Sequence, residues 1–168
     1  MRTEPIVFLP LSRGKVAVID FADFELVRGF KYSVKTKKRN FYAVRGARSP
    51  TTGRATLSSL HRDLMDLKAG DGLLIDHIDY NGLNNTRANL RICSNTENSR
   101  HRRSTLGSTS KFLGVCRYKL ISKWIAQGKL PNISREGRGK QVCLGRFDSE
   151  VDAAHAYDVF AREHYGEF

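Results

Sequence analysis

Residues 75–98 read I-D-H-I-D-Y-N-G-L-N-N-T-R-A-N-L-R-I-C-S-N-T-E-N, and the order of residue types here decides how the chain is read. Leu73–Asp79 is a short apolar run of the kind that forms a strand. Asn81-Gly82 and Asn84-Asn85 are loop and turn formers. Leu90–Cys93 predicts the returning strand. Ser94 and Glu97 have the spacing of a capping box, which predicts a helix from about Asn95 to Arg103. The stretch is therefore strand, long loop, strand, helix. Asp76-His77 closes the first strand, Asn89 follows His77 by twelve residues, and Asn98 follows Asn89 by nine.

Those four positions carry a chemistry. A phosphodiester is an anion that repels nucleophiles and has a poor alkoxide leaving group. A hard divalent cation relieves both problems and prefers oxygen ligands. Asp76 offers a charged oxygen and Asn98 an amide oxygen, an incomplete shell that suits Mg²⁺ or Mn²⁺ better than a closed zinc site. Histidine titrates near neutrality and takes a proton from water, which makes His77 the candidate general base. Its ring needs a partner at the other nitrogen, a backbone or amide oxygen. Adjacent strand residues face opposite ways, so Asp76 and His77 share one site only if the strand bends or ends there.

The same text resembles the HNH nuclease motif of the ββα-metal class, in the variant whose first metal ligand is Asp and whose last is Asn. The intron- and phage-encoded homing branch is the most similar. Gly14-Lys15-Val16 and Leu60-His61-Arg62 upstream also resemble phage members of that group. The resemblance implies a metal-dependent endonuclease acting on double-stranded DNA. It assigns Asp76 and Asn98 to the metal, His77 to catalysis, and Asn89 to the catalytic motif as the residue that ties the loop between the strands. Many zinc-type relatives carry a histidine ligand four residues after the Asn98 position. Arg102 stands there instead; a guanidinium binds phosphate, not metal, so fewer protein ligands are expected. His101 is expected against solvent or phosphate.

Outward from this stretch, the 168 residues carry a net charge of +12 and a pI near 10, a balance that attracts nucleic acid by counterion release. The charge is uneven. Residues 1–70 hold 14 Lys/Arg against 6 Asp/Glu, whereas residues 71–103 hold 5 against 4. The stretch with the chemistry is thus the most neutral one. Cys93, Cys116 and Cys143 are isolated, which argues against a cysteine zinc knuckle and for reduced thiols in a cytosolic protein. Neither a signal peptide nor a membrane span is expected, so the predicted location is the cytoplasm, or the host nucleoid for a phage-encoded chain.

The segment to about Ala69 reads as a small α+β module. Lys15–Phe21 predicts a strand and Phe24–Phe30 a short helix. Lys31–Val34 and Asn40–Arg45 predict paired strands around the tip Lys35-Thr36-Lys37-Lys38-Arg39. On a DNA-binding protein Lys37, Lys38 and Arg39 are candidates to grip phosphate. Leu57, Leu60, Leu64 and Leu67 predict a helix, with His61 as a buttressing core histidine rather than a ligand.

Residues 104–110 form a small-residue linker. Beyond it, Phe112–Tyr118, Lys123–Leu130 and Lys140–Phe147 predict three strands, and a final helix runs to about His164. The segments F-L-G-V-C-R-Y, K-W-I-A-Q-G-K and V-C-L-G-R-F-D-S-E-V-D-A-A-H-A-Y-D resemble the plant ethylene-response-factor (Apetala) DNA-binding domain. That implies a three-stranded antiparallel sheet backed by one helix, whose outward face enters the major groove. Strand alternation turns Trp124, Ala126, Val142 and Leu144 towards the helix. Ile125, Gln127, Lys129, Cys116, Tyr118, Gln141 and Cys143 then face outward, with Tyr118, Gln127, Lys129 and Gln141 as DNA-binding candidates.

The expected class is α+β: residues 1–103 as N-terminal module plus nuclease motif (about 73–103), and 111–168 as the second DNA-binding domain. A monomer is expected, with paired cuts needing two binding events or a dimer on DNA. The competing expectation is a catalytically silent, sequence-specific DNA-binding regulator.

Overall fold

The computed structural model describes residues 4–37, 40–49, 51–68, 70–101, 104, 107–118, 120, 122–130 and 139–166. Lys38, Arg39 and Arg102 lie outside them. The fold is mixed α+β, built among the described residues from small antiparallel sheets and four α-helices. The chain divides into two compact units, Met1–Asn95 and Thr96–Phe168.

The first unit opens with a hairpin of β1 (Ile6–Pro10) and β2 (Val16–Asp20). A 3₁₀ turn and the short helix α1 (Phe24–Val27) follow. β3 (Ser33–Lys37), β4 (Asn40–Arg48) and β5 (Ala55–Ser59) make a three-stranded sheet with β4 in the centre. Helix α2 (Leu60–Leu64) leads to the hairpin of β6 (Leu74–His77) and β7 (Leu90–Cys93).

Alternation explains the core. Ala17 and Ile19, two apart on β2, are fully buried, while Val16 between the turn and the strand is exposed. Leu60 and Leu64, four apart on α2, join them with Val27, Tyr32 and Ala43. Burying a side chain such as Ile19 or Leu60 stabilises the fold by about 1.5–3 kcal/mol. The helix predicted from Leu57 starts three residues later. Leu57 instead pairs with Gly46 across β4 and β5 and is exposed, because cross-strand pairing overrides the local helical spacing.

Polar groups lock this unit together. Asp63 on α2 accepts hydrogen bonds from Tyr32 Oη (2.7 Å), Ser58 Oγ (2.6 Å) and Arg45 Nε and Nη2 (2.7 and 3.0 Å). Burial pushes its carboxyl up, but the bonds from Arg45, Ser58 and Tyr32 together outweigh it and hold Asp63 below the usual carboxylate range. A carboxyl lowered on folding stabilises the folded state above its unfolded pKa, about 3.9, and loses that contribution as pH falls through the folded value. Asp63→Asn is therefore expected to lower unfolding stability by about 2–3 kcal/mol at pH 7, measured by urea denaturation. The gap between variant and wild type should narrow below about pH 4; a constant gap from pH 7 to pH 3 contradicts it.

The second unit contains most of α3 (Asn95–Arg100), the sheet of β8 (Val115–Tyr118), β9 (Lys123–Lys129) and β10 (Gln141–Phe147), and helix α4 (Glu150–Tyr165). β9 is central, paired antiparallel with both neighbours. Val115, Ala126, Ala153 and Ala154 form the core, with Phe112, Trp124, Leu144 and Phe147 packed against it. The alanines of α4 let it lie close on the sheet. Ser149 caps α4, its side chain accepting from the backbone N–H groups of Val151 and Asp152. Among the described residues no helix is long and apolar enough to cross a membrane.

Candidate functional site

The β6–β7 hairpin sets the site. Its register pairs Leu74 with Cys93, Ile75 with Ile92, Asp76 with Arg91 and His77 with Leu90. Asp76 and His77 are both buried, at 8% and 5% exposure, although consecutive strand residues point opposite ways. β6 ends at His77, and each side chain meets its own partners. Asp76 faces its cross-strand neighbour Arg91, whose Nη2 and Nε donate to Asp76 Oδ2 at 2.8 and 3.0 Å. A buried carboxylate needs such a counter-charge.

His77 turns the other way. Its Nε2 lies 3.3 Å from Asn85 Oδ1. An amide oxygen only accepts, so Nε2 carries the hydrogen and Nδ1 is the basic nitrogen of the neutral ring. Asn85 is itself fully buried. Its backbone N–H donates to Val18 O at 2.7 Å, and its Nδ2 to Gly82 O at 3.5 Å. Burial lowers the proton affinity of His77. The Asn85 hydrogen bond and the charges of Asp79 and Asp76 pull the other way, and burial wins. The imidazole is thus held neutral, ready to accept a proton.

The long loop between the strands is tied by side chains. Asn89 Oδ1 accepts from the Asp79 backbone N–H (2.9 Å), while its Nδ2 donates to Asp79 Oδ1 (2.9 Å) and Asn84 O (2.8 Å). The Ile78 N–H donates to Asn89 O at 2.9 Å, extending the ladder past His77. Asp79 also accepts from Asn84 Nδ2 at 2.7 Å and from the Asn81 N–H at 2.8 Å. Asn89 accordingly acts as a clasp across the loop mouth and makes no described contact with Asp76.

The wall behind His77 comes from the N-terminal sheet and α2. Tyr42 on β4 and His61 on α2 each present a ring to His77, with centroids 5.9 and 5.1 Å away. The loop presses on Tyr42 at Gly82, where a Cβ would stand 2.5 Å from Phe41 O and 2.6 Å from the Tyr42 ring. Asn40 closes the contact by donating to Tyr80 O and accepting from the Gly82 N–H, at 2.8 and 3.2 Å. The N-terminal segment therefore belongs to the same compact unit as the hairpin.

For a metal, the donor chemistry is hard oxygen from Asp76. No group of three or more His, Cys, Asp or Glu side chains able to hold an ion occurs among the described residues. That Asp76 carboxylate is already ion-paired with Arg91 through Oδ2. Asn98 and His101 lie in the second unit, Asn98 within α3.

The remaining predicted residues fall on two surfaces. Lys37 is exposed at the end of β3, paired with Asn40. Tyr118, Lys129 and Gln141 are exposed on the C-terminal sheet, and Gln127 is partly exposed and accepts from Gln141 Nε2 at 2.5 Å. Ala126 and Trp124 face the helix as alternation predicts, and Ile125 is buried in the central strand outside the helix-facing core.

Sequence reasoning missed Arg146. A bulge between Cys143 and Gly145 inserts one residue, so the outward positions of β10 run Gln141, Cys143 and then Arg146, which pairs with Ile125. Gly145, at φ +144°, was the visible signal. Asn85, Tyr42 and Arg91 were missed as well. Aligning the apolar residues of the two strands would have placed Arg91 opposite Asp76.

No family model matches the chain, and no solved structure matches it. The chain is 28% identical over 167 residues to a mimivirus protein (Acanthamoeba polyphaga mimivirus) named an uncharacterized HNH endonuclease, covering 97% of this chain and 79% of that protein. It is 41% identical over 59 residues to the rice dehydration-responsive element-binding protein 2A, in both the indica and japonica subspecies. That likeness covers 35% of this chain and 19% of the rice proteins.

Proposed function

We propose that this protein is a metal-dependent DNA endonuclease of the HNH type, with His77 as general base. The observation that carries the reading is a buried, neutral imidazole at a strand end, held through Nε2 by Asn85 so that Nδ1 is the basic atom. The near full-length similarity to a protein named an HNH endonuclease supports it. The +12 charge supports a nucleic-acid substrate whose affinity falls steeply with salt.

In this reading water attacks the phosphorus, His77 Nδ1 takes its proton, and the P–O3′ bond breaks, the leaving 3′ oxygen taking a proton from solvent. The imidazolium is stabilised by the Asn85 amide oxygen and by the negative charges of Asp79 and Asp76. Asn89 keeps the loop shut so that these groups stay in register. Asp76 would offer a charged oxygen to a Mg²⁺ or Mn²⁺ ion, whose chemistry there would be charge neutralisation at the phosphate. The products are 5′-phosphate and 3′-hydroxyl ends. Arg102, Lys37, Lys38 and Arg39 are assigned to phosphate contact. Tyr118, Gln127, Lys129 and Gln141 are assigned to the DNA groove, joined by Arg146. One site cuts one strand, so a monomer nicks.

The similarity to a rice protein named for element binding favours one other reading, a DNA-binding regulator that keeps the fold without turnover. Supercoiled plasmid nicking separates the two. The nuclease reading expects nicked circles with Mg²⁺ or Mn²⁺ and none after EDTA. Protein that binds DNA on every sequence tried and never nicks it establishes the regulator.

A further inference from the structure

The Nε2 contact alone is a poor anchor for His77. At 3.3 Å it is a long hydrogen bond. The χ2 torsion of a histidine is also broad, so one such bond leaves the ring plane loosely set. Two other rings complete the setting. Tyr42, His61 and His77 stand mutually edge-to-face, with centroids 6.1, 5.9 and 5.1 Å apart and interplanar angles of 70°, 66° and 88°. All three fall in the range where aromatic rings attract by edge-to-face contact. Each wall is anchored: His61 follows the fully buried Leu60 on α2, and Tyr42 lies on central strand β4 with the Gly82 loop against it.

We propose that His61 is a positioning residue for His77: its ring, with that of Tyr42, fixes the His77 imidazole plane so that Nε2 stays on Asn85 and Nδ1 faces the reacting water. The inference rests on the reading of His77 as general base. His61 Nδ1 is buried and without a hydrogen-bond partner, so what His61 supplies is the ring. Burial, with the neighbouring His77 adding to it, pushes the His61 imidazole down to about 3. It therefore remains an uncharged wall at neutral pH and does not repel the imidazolium that forms on His77.

The test uses the full chain and three proteins: wild type, His61→Ala and His61→Phe. Single-turnover nicking of supercoiled plasmid in Mg²⁺ is measured beside DNA affinity. Long-range ¹H–¹⁵N spectra report the His77 tautomer without reference to activity. His61→Ala should nick about 10–100-fold more slowly, with DNA affinity within about twofold and His77 spread over both tautomers. His61→Phe keeps the ring and should stay within about threefold of wild type, with the Nε2–H tautomer intact. Unchanged nicking and tautomer in His61→Ala overturn the proposal. A His61→Phe protein as slow as His61→Ala also overturns it, because a nitrogen and not the ring would then matter. If wild type itself nicks nothing, the proposed function fails on its own, and the tautomer spectra still decide the positioning claim.

Discussion

Replacing His77 with alanine is expected to slow DNA nicking by about 10²–10⁴-fold and to change DNA affinity by less than about twofold. The separation follows from where the side chain sits. His77 is 5% exposed and its ring is held by Asn85, Tyr42 and His61, so it contributes little surface to the binding of a long polyanion. In the nuclease reading, phosphate contacts by exposed cations carry that affinity, and the variant keeps every one of those cations. The barrier should rise because nothing else in the described pocket offers a basic nitrogen to the attacking water. His61 is the only other imidazole described beside it, and burial holds it far from a useful value, at about 3. Single-turnover kinetics with saturating protein, compared with filter binding at the same salt, gives both numbers. Equal loss of affinity and rate would make His77 a binding residue, and an unchanged rate would remove it from catalysis.

Arg87→Ala should cost the first unit about 2–3 kcal/mol of stability, because Asp23 is buried while the Arg87 side chain is 52% exposed. Arg87 donates from Nε to both Asp23 oxygens (3.0 and 2.9 Å) and from Nη2 to Asp23 Oδ1 at 2.7 Å. Nη2 reaches Leu64 O at 3.1 Å as well, and the Arg87 backbone N–H donates to Asp20 Oδ2 at 2.7 Å. Asp23 is 3% exposed, so truncating its partner leaves a charge in the interior with no counter-charge. The pair also joins parts of the chain 64 residues apart, holding the 3₁₀ turn Arg87–Asn89 against the N-terminal core. A domain is stable by only about 5–15 kcal/mol in total, so any loss of nicking should come through unfolding, not through chemistry. Urea denaturation followed by circular dichroism measures the loss. A deficit under about 1 kcal/mol would mean the pair contributes no more than an exposed ion pair.

How much of this was written in the residue order differs from element to element. The β6–β7 hairpin was legible because its strands are short apolar runs bounded by turn formers, and β7 occupies the residues that the pattern marks. Helix α4 was legible through Ser149 and its alanine spacing. β5 was not, since Leu57, Leu60 and Leu64 satisfy a helical period while β4 supplies a competing strand partner. β1 lacks internal contrast and is a strand only because β2 pairs with it. In the site, Asp76, His77 and Asn89 were singled out by the resemblance to the HNH motif. Asn85 was not, because a turn-forming asparagine and a buried hydrogen-bond acceptor look alike until β2 closes over the loop through Val18. The wall made by Tyr42 and His61 depends on contacts between segments 16 to 35 residues apart, which no local pattern reports.

The most direct test of the account is the chemistry of the cut ends. Supercoiled plasmid is incubated with wild-type protein and Mg²⁺, and the nicks are treated with DNA ligase without prior end repair. Hydrolysis by water activated at His77 predicts nicks that carry 5′-phosphate and 3′-hydroxyl termini, that ligase reseals, and that are absent with His77→Ala. DNA bound but never nicked with Mg²⁺ or Mn²⁺, or nicks of equal yield from His77→Ala, would contradict it.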